Sequence, residues 1–191
     1  GSHRAVGGLV VAEVALAVVL VLGAGLLVRS VLALRQVDPG FEAEGVAAVT
    51  LNLRGSRYDD AEKVAAFYDA LLDRVRALPG VAAAGVSTTM PLRDRGFTSD
   101  FFIAGRAPDD YGSNVVRRRA GPGYFETLGV PLLRGRMLTA ADAAGSERVA
   151  LINDALAREY FPGQDPIGQR ITADRIPDST SVWRTIVGVV G

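Results

Sequence analysis

The sequence predicts an α+β protein held to a membrane by one N-terminal helix, and three observations carry that prediction. Residues 5–28 form an apolar run of twenty-four with a single charge, Glu13. A stretch of helical periodicity at residues 59–78 lies between two segments of strand character. From residue 101 onward, short apolar segments alternate with turns rich in Gly, Pro and Asp.

The first element is a membrane-spanning helix. At about 1.5 Å per residue the run is about 36 Å long, enough to cross a hydrocarbon core of about 30 Å with some tilt. Fourteen of its residues are Val or Leu, together worth about −4 to −8 kcal/mol on an insertion scale. Glu13 offsets about 2.5 to 3.5 kcal/mol of this if ionised near the centre, so insertion wins. A signal peptide has an apolar region of only about 7 to 15 residues followed by a small-residue cleavage site. This run overshoots that length and ends in Arg29-Ser30. Gly8, Ala12, Ala15, Val19 and Gly23 recur at steps of four, three, four and four. With Glu13 they predict a helix that packs against other membrane helices rather than facing lipid all round. Glu13 itself reads as a protonated or partnered carboxyl between helices in preference to a proton or substrate relay.

Past Arg29 the helix is expected to continue through Val31, Leu32 and Leu34 to about Gln36, where Asp38-Pro39-Gly40 breaks it and leaves a short stalk. Val46 to Leu53 then alternates as a strand, with Ala47, Val49, Leu51 and Leu53 on one face. Asp59 with Glu62 has the spacing of a capping box, and Val64, Phe67, Tyr68, Leu71, Leu72, Val75 and Leu78 form one helical stripe. Pro79-Gly80 stops that helix and Val81 to Ser87 reads as a second strand. Strand, helix, strand in this order predicts a right-handed crossover between parallel strands.

The middle of the chain is expected to hold a loop at Pro91 to Gly96, a strand near Phe101 to Ile103, a turn at Pro108 to Gly112 and a strand from Asn114 to Arg119, paired antiparallel. A short helix follows at Tyr124 to Leu128, and Thr139 with Asp142 signals a further helical turn. Val149 to Ile152 reads as a buried strand, Asp154 to Phe161 as a helix and Trp183 to Val190 as the last strand.

Composition excludes several classes of function. Lys plus Arg and Asp plus Glu each number 21, leaving no basic excess for nucleic acid. There is no cysteine, which removes disulfides and thiol nucleophiles, and the only histidine, His3, precedes the helix. Histidine-dependent triads and multi-imidazole metal sites are thereby excluded from the folded domain. No G-x-x-x-x-G-K-[ST] loop is present, and the single lysine, Lys63, falls on the predicted helix. Asp59-Asp60 and Asp109-Asp110 sit where turns and helix starts favour aspartate. Arg117-Arg118-Arg119 reads as a solvated strand in preference to an anion patch, because the middle arginine faces away from its neighbours. Ser87-Thr88-Thr89 lacks an activating base. The aromatics Tyr124, Phe125, Tyr160, Phe161 and Trp183 read as core fillers before they read as a ligand pocket. No catalytic, metal or cofactor site is expected.

Three stretches in order resemble a known family. They are Leu9-Val-Val-Ala-Glu-Val-Ala-Leu running to Gly23-Ala-Gly-Leu-Leu-Val-Arg-Ser, then Gly121-Pro-Gly-Tyr-Phe-Glu-Thr-Leu-Gly-Val-Pro-Leu-Leu-Arg-Gly-Arg, then Ile152-Asn-Asp-Ala-Leu-Ala-Arg-Glu-Tyr-Phe-Pro-Gly-Gln-Asp-Pro-Ile-Gly-Gln-Arg-Ile. With the closing Trp183-Arg-Thr-Ile-Val-Gly-Val-Val-Gly, the chain resembles the MacB/FtsX-like ABC transporter permeases. That resemblance implies a MacB-like extracytoplasmic core with a porter-like strand-helix-strand lobe and a second, mostly β lobe. Residues 1–4 read from the sequence as a tag remnant or cytoplasmic flank and 5–36 as transmembrane helix and stalk, and the resemblance implies 37–191 as the core domain. It also implies placement in the cytoplasmic (inner) membrane, a bilayer and other permease helices around the anchor, and a cytoplasmic ABC ATPase subunit that alone binds ATP. A homodimer in the intact transporter and an extracytoplasmic adaptor complete the implied partners. Family members continue past the final glycine, so the chain is expected to be C-terminally incomplete. The rival reading is a membrane-anchored sensor or ligand-binding module, for which one helix and one outer domain suffice.

Overall fold

The computed structural model describes residues 2–35, 37, 39–53, 55, 58, 60–91, 93–94, 96–107, 109–142 and 146–191. The chain forms two compact units, Gly1–Pro39 and Gly40–Gly191.

The first unit is one helix, α1 (Ser2–Arg35). Thirty-four residues at about 1.5 Å each make it about 51 Å long. Within it Val6–Leu34 is long and apolar enough to cross a membrane. Its Val and Leu side chains are exposed around the whole circumference, from Val6 at 60% to Leu34 at 71%. A helix apolar all round has no polar face to lay on water, which makes it a candidate span and not an amphipathic surface helix.

The second unit mixes helices with one six-stranded sheet. Helix α2 (Ala61–Arg76) starts at Asp60, whose Oδ1 accepts the Glu62 backbone N–H at 2.9 Å. The capping residue is thus Asp60; Asp59 lies outside the described residues. The expected stripe is the inner one: Leu72 is buried and Val64, Phe67, Tyr68, Leu71 and Val75 are half-buried. Leu78 lies past the helix end and is exposed.

Strands β1 (Phe97–Ile103) and β2 (Tyr111–Arg117) pair antiparallel, as expected, though each begins several residues earlier than the sequence indicated. After α3 (Tyr124–Thr127) come β3 (Leu132–Gly135), a 3₁₀ turn (Ala140–Asp142), β4 (Val149–Asn153), α4 (Asp154–Tyr160), β5 (Arg170–Thr172) and β6 (Trp183–Val190). Strand β6 is the hub, antiparallel to β5 and β3 and parallel to β4. Strand β5 links it to β1, giving the order β2-β1-β5-β6-β3 with β4 also on β6. The Asn153 side chain caps α4 by accepting the Leu156 N–H at 3.2 Å. That helix brings Ala157 and the following Phe161 against Phe101, Ile103, Ile152, Ile186 and Val189 to close the core. Each such large apolar side chain removed from water contributes about 1.5 to 3 kcal/mol.

Two expectations fail here. Residues 46–53 join no ladder, and the face expected to be inner is left open, with Val49 79% and Leu51 41% exposed. Residues 81–86 form no strand either, and Ser87 makes only an isolated antiparallel bridge with Ala120. The parallel crossover is absent because residues 84–88 take a different partner. The Thr88 N–H donates to the Arg119 carbonyl at 3.0 Å and the Gly121 N–H to the Val86 carbonyl at 2.8 Å. Alternation gives a segment two faces, but a strand exists only where a neighbour accepts its backbone hydrogen bonds.

Candidate functional site

In α1, successive steps of about 100° place Gly8, Ala12, Ala15, Val19 and Gly23 within an arc of about 80°. A Cβ added at Gly8 or Gly23 meets no atom within 4 Å, so the stripe is open to close approach. Glu13 lies about 120° from the centre of that stripe, on the side that carries Leu9, Leu16 and Leu20. Stripe and carboxyl therefore belong to different faces of the helix.

In the second unit the residues singled out for chemistry have structural roles. Asp60 caps α2 and Asp110 accepts from Arg106 at 3.4 Å. The Ser87 hydroxyl donates to the Arg119 carbonyl at 3.0 Å and accepts the Thr89 N–H at 3.3 Å. Tyr160 meets Phe101 edge-on at 4.9 Å, and Trp183 meets Phe102 edge-on at 6.4 Å, so both rings serve packing. Among the described residues no group of three or more His, Cys, Asp or Glu is arranged to hold a metal.

Two open clefts are found among the described residues. One, of about 390 Å³, is lined by Ile103, Arg106, Asp110, Phe161, Gln164 and Gln169 among others. Its arginine is already engaged, stacked over Phe161 and donating to the Tyr160 carbonyl. The other, of about 360 Å³, is lined by Arg117, Thr172, Asp174, Asp178, Ser181 and Arg184 among others. Burial depresses the affinity of the Arg184 guanidinium for its proton, and the positive charges of Arg117, Arg148 and Arg119 add to that effect. Asp174 opposes it. The Asp178 carboxyl is held below its usual range chiefly by the Thr180 hydroxyl, which donates to it at 2.7 Å.

The sequence located two of these four arginines, Arg117 and Arg119, in the triple-arginine segment. Arg148 and Arg184 carry no motif. The β4–β6 register brings them in: Val149 pairs with Thr185, and the Thr185 N–H donates to the Arg148 carbonyl at 2.9 Å.

Comparison with known proteins agrees with the resemblance carried by the sequence motifs. The macrolide export ATP-binding/permease protein MacB of Rhodospirillum rubrum is 26% identical over 149 residues, covering 70% of this chain and 23% of its own length. The chain thus spans about a quarter of that relative. Among solved structures, the periplasmic region of MacB from Actinobacillus actinomycetemcomitans aligns with a TM-score of 0.44 and 15% identity, over 64% of this chain and 49% of that one. The extracellular domain of the noncanonic ABC-type transporter YknZ from Gram-positive bacteria aligns with a TM-score of 0.43 and 16% identity, over 63% of this chain and 55% of that one. Residues 5–191 match the family described as the MacB-like periplasmic core domain, helix and sheet unit together, and the chain belongs to that family.

Proposed function

We propose that this chain is the membrane anchor and extracytoplasmic domain of an ABC transporter permease in the cytoplasmic membrane. In this reading ATP hydrolysis in a cytoplasmic partner subunit drives export, or mechanical work, on the far side of the bilayer. The observation that carries it is the continuity of the family match across an apolar span and a sheet domain. ATP binds only the partner, since no phosphate-binding loop occurs here. Helix α1 crosses the bilayer among other permease helices, which approach along Gly8, Ala12, Ala15, Val19 and Gly23, while Glu13 sits on another face as a protonated or partnered carboxyl. Two copies and an extracytoplasmic adaptor complete the assembly.

Sidedness tests this directly. Residues 1–191 hold no cysteine, so none of them interferes with labelling of an introduced one. In the intact permease in cells, Ser179→Cys on the exposed 173–182 loop is expected to react with a membrane-impermeant maleimide added outside the cytoplasmic membrane. Ser2→Cys is expected to react only after that membrane is permeabilised. Protection of the Ser179 position in sealed cells overturns the reading.

A further inference from the structure

Glu13 and Arg29 are the two charged residues within the apolar span Val6–Leu34, and both are exposed on the helix surface. They lie sixteen residues apart on one unbroken helix, which is about 24 Å along the axis and about 160° around it. At that distance they do not pair with each other. A hydrocarbon core is about 30 Å thick, so their separation falls short of it by about 6 Å, and tilt only widens the shortfall. No depth of the helix brings both charges to the headgroups at once.

We propose that α1 occupies two depths in the bilayer, about 6 Å apart, one with Arg29 at the outer headgroups and the other with Glu13 at the inner ones. This rests on the reading that α1 crosses the membrane with its N-terminus in the cytoplasm. At the first depth Glu13 lies about 6 Å inside the hydrocarbon, where its carboxyl needs a proton or a partner. At the second it reaches the headgroups, and Arg29 is the residue drawn inside.

Apolar side chains do not choose between the two depths. The slide from the first to the second takes Val10 and Val11 out of the hydrocarbon on the cytoplasmic side and brings Val31 and Leu32 in on the other, all four being exposed on α1. Ser30 enters with them, and a helical serine can turn its hydroxyl back onto the carbonyl four residues earlier. The charged arms are balanced as well. Arg29 has the longer arm for snorkelling, but Cα–Cβ bonds in a helix tilt toward the N-terminus, which favours Glu13 reaching its headgroups and hinders Arg29. The step is close to one helical turn of about 5.4 Å, a displacement by which one element ratchets past another. Pairing or unpairing of Glu13 by a neighbouring helix therefore moves the far end of α1, a coupling across the bilayer that a span with a single charged anchor does not provide.

The test uses the full chain in phosphatidylcholine nanodiscs, with a nitroxide on one introduced cysteine and its depth read from its collision rates with oxygen and with a water-soluble nickel chelate. With the label at Leu32→Cys, Glu13→Leu is expected to move it out of the hydrocarbon and Arg29→Leu to move it in, the two variants differing by at least about 6 Å. At Val10→Cys the same variants are expected to act in the opposite sense, Glu13→Leu drawing the label in and Arg29→Leu letting it out. Each variant replaces a charge in the span by leucine, so insertion is strengthened in both. A label at Val21→Cys stays within about 3 Å of the midplane at either depth and reports on the span itself. Exposure of the Val21 label to water overturns the membrane reading and this inference with it. A Val21 label near the midplane, with Leu32 labels at equal depth in the two variants, overturns this inference alone.

Discussion

Arg136 grips Asp142 through two parallel hydrogen bonds, each 2.8 Å, from Nη1 to Oδ2 and from Nη2 to Oδ1. The same carboxylate accepts the Thr139 N–H at 2.8 Å and the Thr139 hydroxyl at 3.1 Å. One buried-edge acid thus fastens the 3₁₀ turn to the residue that directly follows β3, whose own N–H donates to the Val187 carbonyl of β6. The Asp142 side chain is only 10% exposed, so this pair is less screened than the other surface ion pairs. Asp142→Asn is expected to lower stability by about 1 to 2 kcal/mol, since it keeps the shape and loses the charge. The denaturation midpoint of the full chain in detergent, followed by the fluorescence of the sole tryptophan, Trp183, measures the change. An unchanged midpoint would show that the clamp contributes nothing.

Acid sensitivity follows from the same residue. The Arg136 guanidinium holds the Asp142 carboxyl far below the usual carboxylate range, against a smaller opposing effect of burial. The Met90 N–H, donating at 2.7 Å, lowers Asp94, and Thr180 lowers Asp178. For a carboxyl whose folded value is depressed, the stabilisation is complete above the unfolded value near about 3.9 and is lost as pH falls toward the folded one. Stability is therefore expected to be insensitive to these groups at neutral pH and to decline below about pH 4. Midpoints measured from pH 7 down to pH 3 test this, and Asp142→Asn should show the shallower decline. A decline of equal steepness in the variant would remove Asp142 as its source.

A second packing test concerns Gly112. A Cβ there would lie 1.8 Å from Cε1 of Phe101, a ring that is 4% exposed and wedged edge-on against Tyr160. Two residues further on, Asn114 adopts a left-handed φ of 57° where the β1–β2 register slips, so the strand already bends around this ring. Gly112→Ala is expected to cost about 1 to 3 kcal/mol by displacing a core aromatic. Ser113→Ala at the next, exposed position is expected to be nearly neutral. Thermal melts of the two variants in parallel check the contrast, and equal melting temperatures would mean that Phe101 moves freely.

How legible this was in the sequence differs from element to element for physical reasons. The apolar span, the α2 stripe and strand β6 were readable because each is defined by side-chain pattern alone, and Ile186 and Val189 are indeed the most enclosed residues. Residues 46–53 show the limit of that logic, since their alternation is real but no neighbour receives it. Strands β3 and β5 escaped notice because runs of four and three residues carry no period, and their hydrogen bonds to β6 are what define them. The second cleft was half visible: Arg117 stood out in the triple-arginine segment, but Arg184 carries no motif and only its pairing with Ile171 places it beside Thr172.

Stiffness of α1 is the property on which the proposed mechanical coupling turns. The helix runs unbroken from Ser2 to Arg35, about 51 Å against a hydrocarbon core of about 30 Å, leaving about 20 Å to extend beyond it. A rigid extension converts tilt of the span into displacement outside the membrane, whereas a joint that bends absorbs it. Glycine at Val31 and Leu32 is about 1 kcal/mol per position less favourable in a helix than alanine at the same two positions, and alanine costs none. In the intact permease with its ATPase, Val31→Gly with Leu32→Gly is expected to retain nucleotide hydrolysis while transport falls several-fold, and the double alanine variant to keep both. Both variants remove the same two aliphatic side chains from the span Val6–Leu34, so the contrast between glycine and alanine isolates rigidity near one end. Wild-type transport by the glycine variant would therefore count directly against the helix as the transmitting element.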